Sequence, residues 1–132
     1  LASAFLESSV LYAIEKTGIS QANVSATVYI APNAIDYSGY PDCRPEFFQQ
    51  LSKTLGYGSK LCSQYHVPIE IETPVIHMSK SEIVQFALDL NAPIDHTWSC
   101  YKNDAEPCGT CDSCQLRSNG FAQAGVRDPL VR

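Results

Sequence analysis

Apolar positions in this chain fall into helix-like and strand-like runs that alternate. Residues 2–17 place Phe5, Leu6, Val10, Ala13 and Ile14 at helical spacing and stop at Thr17-Gly18, which predicts an amphipathic helix closed by glycine. Val24 to Ile30 is β-branched and aromatic and empties into Ala31-Pro32-Asn33, as a short strand leading into a loop would. Pro45 suits the first turn of a helix with Phe47, Phe48, Leu51 and Leu55 on one side, fading at Gly56 and Gly58. Val67 to Thr73 predicts a second strand, bounded by Pro68 and Pro74. Ser79-Lys80-Ser81-Glu82 has the form of a capping box, in which hydroxyl and carboxylate satisfy orphaned backbone donors; Ile83, Phe86, Ala87 and Leu90 follow as the buried stripe, and Asn91-Ala92-Pro93 ends it. A last helix is expected from Asp112-Ser113-Cys114-Gln115, with Leu116 and Phe121 inward and Asn119-Gly120 as its stop.

This order predicts an α/β fold class: one edge of an α/β layer structure over residues 1–95, then a small cysteine-bearing helical appendage over residues 96–132. Two strands are too few for a doubly wound sheet, and the first residue is Leu rather than Met, so the expectation is the rear portion of a longer chain. A hydrophobic content of 45% with only 17% charged residues excludes wholesale disorder, because such a chain can bury enough apolar surface to offset ordering entropy. Nine cationic against fourteen acidic side chains give a net charge of −5, a poor match to nucleic acid, so no nucleic-acid partner is expected. Glu7 and Glu15 interrupt the most apolar run, which rules out a spanning helix there. No cationic stretch precedes an apolar one, so nothing reads as a secretory leader, and a cytoplasmic location with no membrane partner is expected.

Candidate chemistry is concentrated in two places. Four of the six cysteines form a Cys-x7-Cys-x2-Cys-x2-Cys pattern, Cys100, Cys108, Cys111 and Cys114. Thiolates two residues apart in a turn can share one ion, and Gly109 allows the tight turn between the second and third. Four protein ligands leave no open coordination position, so such a zinc site would be structural. An iron–sulfur cluster and disulfides are the alternatives, although in the bacterial ferredoxin run the extra cysteine lies downstream and is followed by proline, whereas here Pro107 precedes Cys108. Cys43 and Cys62 read as small buried hydrophobes, the three histidines are scattered, and Lys80 reads as a solvated lysine at a helix start.

The second place is the loop from Asp36 to Arg44, which follows the first strand. Loops at the carboxyl ends of strands bind ligands in open α/β sheets. A carboxylate there can accept from two adjacent N–H groups, a tyrosine ring can stack on a base, and an arginine can clamp a carboxylate or phosphate. The same residues also fit a surface turn shaped by Gly39 and Pro41, with Asp42 and Arg44 as an exposed ion pair.

Two runs carry a specific resemblance. Asp36-Tyr37-Ser38-Gly39-Tyr40-Pro41-Asp42-Cys43-Arg44-Pro45-Glu46-Phe47 is one; Thr97-Trp98-Ser99-Cys100 together with Pro107-Cys108-Gly109-Thr110-Cys111-Asp112-Ser113-Cys114-Gln115-Leu116-Arg117 is the other. With Glu72-Thr73-Pro74, Lys80-Ser81-Glu82-Ile83 and the stretches from Gly120-Phe121 to Asp128-Pro129, they closely resemble the 7-cyano-7-deazaguanine synthases over nearly the whole chain. The resemblance implies an adenine-nucleotide-hydrolase-like, Rossmann-like layered fold and a zinc held by Cys100, Cys108, Cys111 and Cys114. It also implies ATP- and magnesium-dependent conversion of 7-carboxy-7-deazaguanine and ammonia to the nitrile in queuosine biosynthesis, by an enzyme that is commonly a homodimer.

Given that chemistry, Asp36 or Asp42 would accept from the base's amide and amino groups, Tyr37 or Tyr40 would stack on it, and Arg44 would hold its carboxylate; no residue is assigned to catalysis itself. The family's Ser-Gly-Gly-x-Asp-Ser phosphate loop and its Pro-Gly-Arg-Asn segment do not occur in these 132 residues, and Ala31-Pro32 stands where members usually have Gly-Val. The expectation is therefore a C-terminal portion that is inactive alone and self-associates. The competing expectation is a zinc-stabilised interaction module derived from such an enzyme; a tRNA-thiolating relative fits the acidic charge less well.

Overall fold

The structure is a computed structural model in which residues 1–33 and 40–131 are described. It divides into two compact units, Leu1–His77 and Met78–Arg132. The 95/96 boundary expected from sequence falls inside the second unit.

In the first unit, α1 (Ala2–Thr17) ends as predicted at Gly18, whose φ of 73° is the left-handed conformation that closes helices. β1 (Ala26–Tyr29) and β2 (Ile69–Glu72) pair in parallel with Ala26 opposite Ile69 and Tyr29 opposite Glu72, and the chain crosses between them through α2 (Pro45–Gly58) and α3 (Lys60–Tyr65). Parallel neighbours require such a crossover, so this is a βαβ unit. Both strands are shorter than their apolar runs. A mixed α/β class is thus present; among the described residues the sheet has two strands.

The core is Ala26, Leu61, Val67 and Ile69, with Leu6, Val10, Leu11 and Ile14 of α1 laid against it. Leu11 takes the place expected for Phe5, which is 78% exposed. On α2, Phe48 is buried while Phe47 stays outside, edge-on to it at 5.2 Å. Cys62 packs against the core, as a small hydrophobe would.

Helix α3 has no counterpart in the sequence reading. Six residues are too few to show a period, and the helix is held from a distance. Glu7 accepts from the Ser59 hydroxyl at 2.7 Å and the Leu61 amide at 2.9 Å, while Ser59 caps the helix by accepting from the Cys62 amide. Glu15 accepts from Tyr65 Oη at 2.6 Å and Lys60 Nζ at 3.0 Å. The two carboxylates that break the apolar N-terminal run are therefore what tie α1 to α3.

The second unit opens with α4 (Lys80–Asp89), and both halves of its predicted capping box are made: Glu82 N to Ser79 Oγ and Ser79 N to Glu82 Oε2. Its apolar stripe is only half-buried, and Leu90 is 63% exposed. α5 (Asp112–Gln123) packs on α4 and runs straight through Asn119-Gly120. The expected stop at Gly120 is corrected: a Cβ there would lie 2.8 Å from Lys80 Cβ, so glycine serves close helix approach rather than termination. Phe121 is inward as expected, but Leu116 is exposed, and the inward face of α5 runs through Cys114, Arg117 and Phe121.

Candidate metal centre and ligand loop

The four cysteines converge. Their sulfurs all lie within 4.8 Å of one another, and Cys100, Cys111 and Cys114 are buried. Cys108 Sγ and Cys114 Sγ are 4.0 Å apart, against about 3.8 Å between corners of a tetrahedral zinc–thiolate site. None of the six cysteines forms a disulfide.

Local backbone explains the convergence. Gly109 adopts φ 69°, so the chain doubles back between Cys108 and Cys111. Cys111 is the N-cap of α5 and Cys114 lies in its first turn, where the helix dipole favours thiolates. Cys100 Sγ accepts from the amides of Lys102, Asn103 and Cys108, each at 3.4 Å, and Cys108 Sγ accepts from the Cys111 amide at 3.3 Å and the Thr110 hydroxyl at 3.6 Å.

These donors favour the ionised form. The Cys108 amide leads in holding Cys100 below its ordinary value, and the Thr110 backbone and hydroxyl, with the Cys111 amide, bring Cys108 down to about 5. Cys114 is pushed up to about 12, mainly by burial. A cation between the sulfurs reverses that preference, since a coordinating thiol is deprotonated outright. The donor set therefore fits a divalent soft-ligand ion.

Sequence reasoning missed the support of this centre. Arg117, one turn after Cys114, donates from Nε to Asp128 Oδ2 at 2.7 Å and from Nη2 to Oδ1 at 2.9 Å, a bidentate pair with both side chains nearly buried. Nη1 reaches Thr97 Oγ1 at 2.8 Å and Thr97 O at 3.4 Å, and the guanidinium lies 4.9 Å from the Phe121 ring. Burial pushes the Asp128 carboxyl up, but the Arg117 and Leu130 hydrogen bonds outweigh it and hold the carboxyl below its ordinary value. A signal was available: an arginine three residues past the last cysteine shares its helix face.

The loop is only partly in view. Asp36 and Tyr37 lie outside the described residues. Pro41–Cys43 form a single 3-10 turn, with Asp42 exposed and Cys43 half-buried; Tyr40 is 53% exposed, and Arg44 is the N-cap of α2. Because α2 runs back along the sheet, its start lies toward the carboxyl ends of the strands, where Asn33 Nδ2 donates to Val75 O at 3.4 Å and links the segments leaving β1 and β2. His96 is exposed beside Asp95 and is not among the groups gathered at the sulfur centre. No helix among the described residues is long and apolar enough to cross a membrane.

A parallel βαβ unit followed by a four-thiol unit defines an α/β chain with, among the described residues, one built metal-type centre. The family model described as queuosine biosynthesis protein QueC matches residues 8–125, and the chain belongs to that family. It is 50% identical over 105 residues to a 7-cyano-7-deazaguanine synthase of Thermoplasma volcanium, covering 78% of this chain and 42% of that protein. It is 48% identical to that of Aliarcobacter butzleri, covering 85% and 47%, and 41% identical to the 7-cyano-7-deazaguanine synthase 2 of Desulfitobacterium hafniense, covering 92% and 52%. The chain spans about half the length of the curated relatives it matches.

Proposed function

We propose that this chain supplies the metal-carrying part of a 7-cyano-7-deazaguanine synthase, which converts 7-carboxy-7-deazaguanine and ammonia to the nitrile with ATP and magnesium. The observation that carries this reading is the convergence of four cysteine sulfurs within 4.8 Å in a chain of the queuosine biosynthesis family. Cys100, Cys108, Cys111 and Cys114 would hold zinc as a structural ion, pinning the loop to the start of α5. Closed coordination suits this role, and a colourless metal-loaded protein would separate zinc from an iron–sulfur cluster.

Substrate recognition is proposed for Asp36, Tyr37, Tyr40, Asp42 and Arg44, supported by the start of α2 lying toward the strand ends. A carboxylate accepting from a guanine-like edge, a stacked tyrosine and an arginine on the substrate carboxylate suit this ligand. ATP and magnesium are not assigned to residues here, because the 132 residues hold no Ser-Gly-Gly-x-Asp-Ser loop. Self-association is proposed too, supported by exposed Phe5 and Tyr12 on α1 and Tyr29 and Ile30 at the end of β1.

The test is a chimera in which this chain replaces the segment it matches in the Thermoplasma volcanium protein. Conversion of the carboxylate to the nitrile is expected from the chimera, and none from the 132-residue chain alone. A folded, metal-loaded chimera without activity would overturn the enzymatic reading in favour of an interaction module. Asp42→Ala and Arg44→Ala in an active chimera should raise the concentration of 7-carboxy-7-deazaguanine needed for half-maximal rate at least tenfold.

A further inference from the structure

Cys100 to Cys114 form a loop of fifteen residues whose two ends must be brought together before four sulfurs can share an ion. The first ligand lies three residues after Thr97, and the last lies three residues before Arg117. Arg117 donates to the Thr97 hydroxyl at 2.8 Å and to its carbonyl oxygen at 3.4 Å, so one side chain joins the two ends of the loop outside the sulfur cluster. Thr97 is itself fixed, its hydroxyl donating to Ile94 O at 2.6 Å.

The guanidinium cannot swing away from this position. Nε and Nη2 are both held by Asp128 in bidentate geometry, the Asp128 Oδ1 also accepts from the Leu130 amide at 3.0 Å, and the Phe121 ring lies 4.9 Å from the guanidinium carbon. A planar fork held on two nitrogens presents the third in a fixed direction. Lysine, a point charge on a flexible stem, would keep the charge but not the direction.

We propose that Arg117, aimed by Asp128 and closing on Thr97, is a positioning residue for the metal centre: it preorganises the thiol loop so that binding an ion need not bring its ends together. This rests on the metal reading given above. It assigns to Arg117, Thr97 and Asp128 the outer-shell part that hydrogen-bonded partners play at metal sites, where their loss lowers metal affinity by on the order of ten- to a hundredfold.

The experiment titrates Co2+ into the metal-free 132-residue chain under reducing conditions and follows the sulfur-to-cobalt charge-transfer band, for wild type, Arg117→Lys and Thr97→Val, with thermal unfolding of each metal-free protein alongside. Thr97→Val leaves the Arg117–Asp128 pair intact, so it reads the tie even if the arginine variant folds poorly. The expected result is cobalt affinity roughly tenfold weaker in Arg117→Lys and several-fold weaker in Thr97→Val, with band positions unchanged and the metal-free Thr97→Val protein melting like wild type. Unchanged affinity in Thr97→Val, or an affinity loss no larger than its loss of metal-free stability explains, overturns the proposal and leaves Arg117 a purely structural residue. Absence of the band in wild type overturns the metal reading itself, a result distinguishable from either.

Discussion

The first unit is organised around Ala26, Leu61, Val67 and Ile69, with four apolar residues of α1 against them; the second gathers Cys100, Cys111 and Cys114, with Cys108 against them. An aliphatic core is stabilised by leaving water whatever the solvent contains. Four gathered thiols make a small apolar cluster and a good ligand set, and an ion bound there would add to its stability. The electrostatic ties differ in the same sense. Those of the first unit, Glu15 with Lys60 and Tyr65, are exposed and worth little, whereas Arg117–Asp128 is nearly buried and bidentate. One chain thus carries a unit held by burial alone and a unit in which we propose that a bound ion adds to the stability that Arg117 and Asp128 supply without it.

Chelation tests that contrast most severely. A structural zinc site contributes on the order of 10 kcal/mol, comparable to the whole stability of a small domain. Removing the metal is expected to abolish hydrogen-exchange protection at the amides of Cys108 and Cys111 while β1 and β2 keep theirs; simultaneous loss in both units would overturn the division. Leu61→Ala is the converse. Leu61 is fully buried in the first core, and truncation should destabilise that unit by about 2–5 kcal/mol, measured by urea unfolding, with bound metal per chain unchanged.

What was readable from sequence divides along similar physical lines. The capping box at Ser79–Glu82, the glycine closing α1, the turn at Gly109 and the cysteine quartet are each set by residues a few positions apart, and each stands as expected. Features made by distant residues were not readable. Helix α3 owes its start to Glu7, more than fifty positions away, and the Arg117–Thr97 tie joins residues whose spacing signals nothing. Leu116, being apolar, reads as inward, yet the helix turns Arg117 inward, where its hydrogen bonds reach both Thr97 and Asp128. A boundary at 95/96 reads from the start of the cysteine loop, and the packing of α4 on α5 is a contact that only the fold creates.

Gly120→Ala tests the contact between α4 and α5. A glycine stop in the left-handed conformation would lose stability on replacement by alanine through its backbone alone, but Gly120 lies inside α5 without a positive φ, so only the close approach of Lys80 opposes the methyl. Inside a continuous helix, alanine has a propensity gain of up to about 1 kcal/mol. Its methyl would meet Lys80 Cβ at 2.8 Å and the Lys80 carbonyl carbon at 3.3 Å, neither of which is the free end of a flexible chain. Overpacking of this kind costs about 1–3 kcal/mol, so a net destabilisation of about 1–2 kcal/mol is expected in the metal-loaded protein, confined to the second unit. A variant as stable as wild type would mean that α4 and α5 shift apart at little cost and that their close approach does not require glycine.

Glu7 offers the mildest test, and it acts on the first unit alone. The Leu61 amide, then the Ser59 hydroxyl, hold its carboxyl below its ordinary value of 4.5, so the native state binds the proton less tightly than the unfolded state does. The stabilisation is therefore fully present above the unfolded value and is lost as pH falls from there through the lower folded value. Glu7→Gln keeps an acceptor oxygen for Ser59 and Leu61 but removes the charge, and should make the first unit less stable at neutral pH by less than Gly120→Ala affects the second. The gap between wild type and variant should close on acidification below about pH 4, as protonated Glu7 becomes equivalent to the amide. Urea midpoints of the first unit at neutral and acid pH check this: a gap that stays constant with pH would mean that the Glu7 carboxylate holds α3 by shape alone, and that the charge contributes nothing to joining α1 and α3.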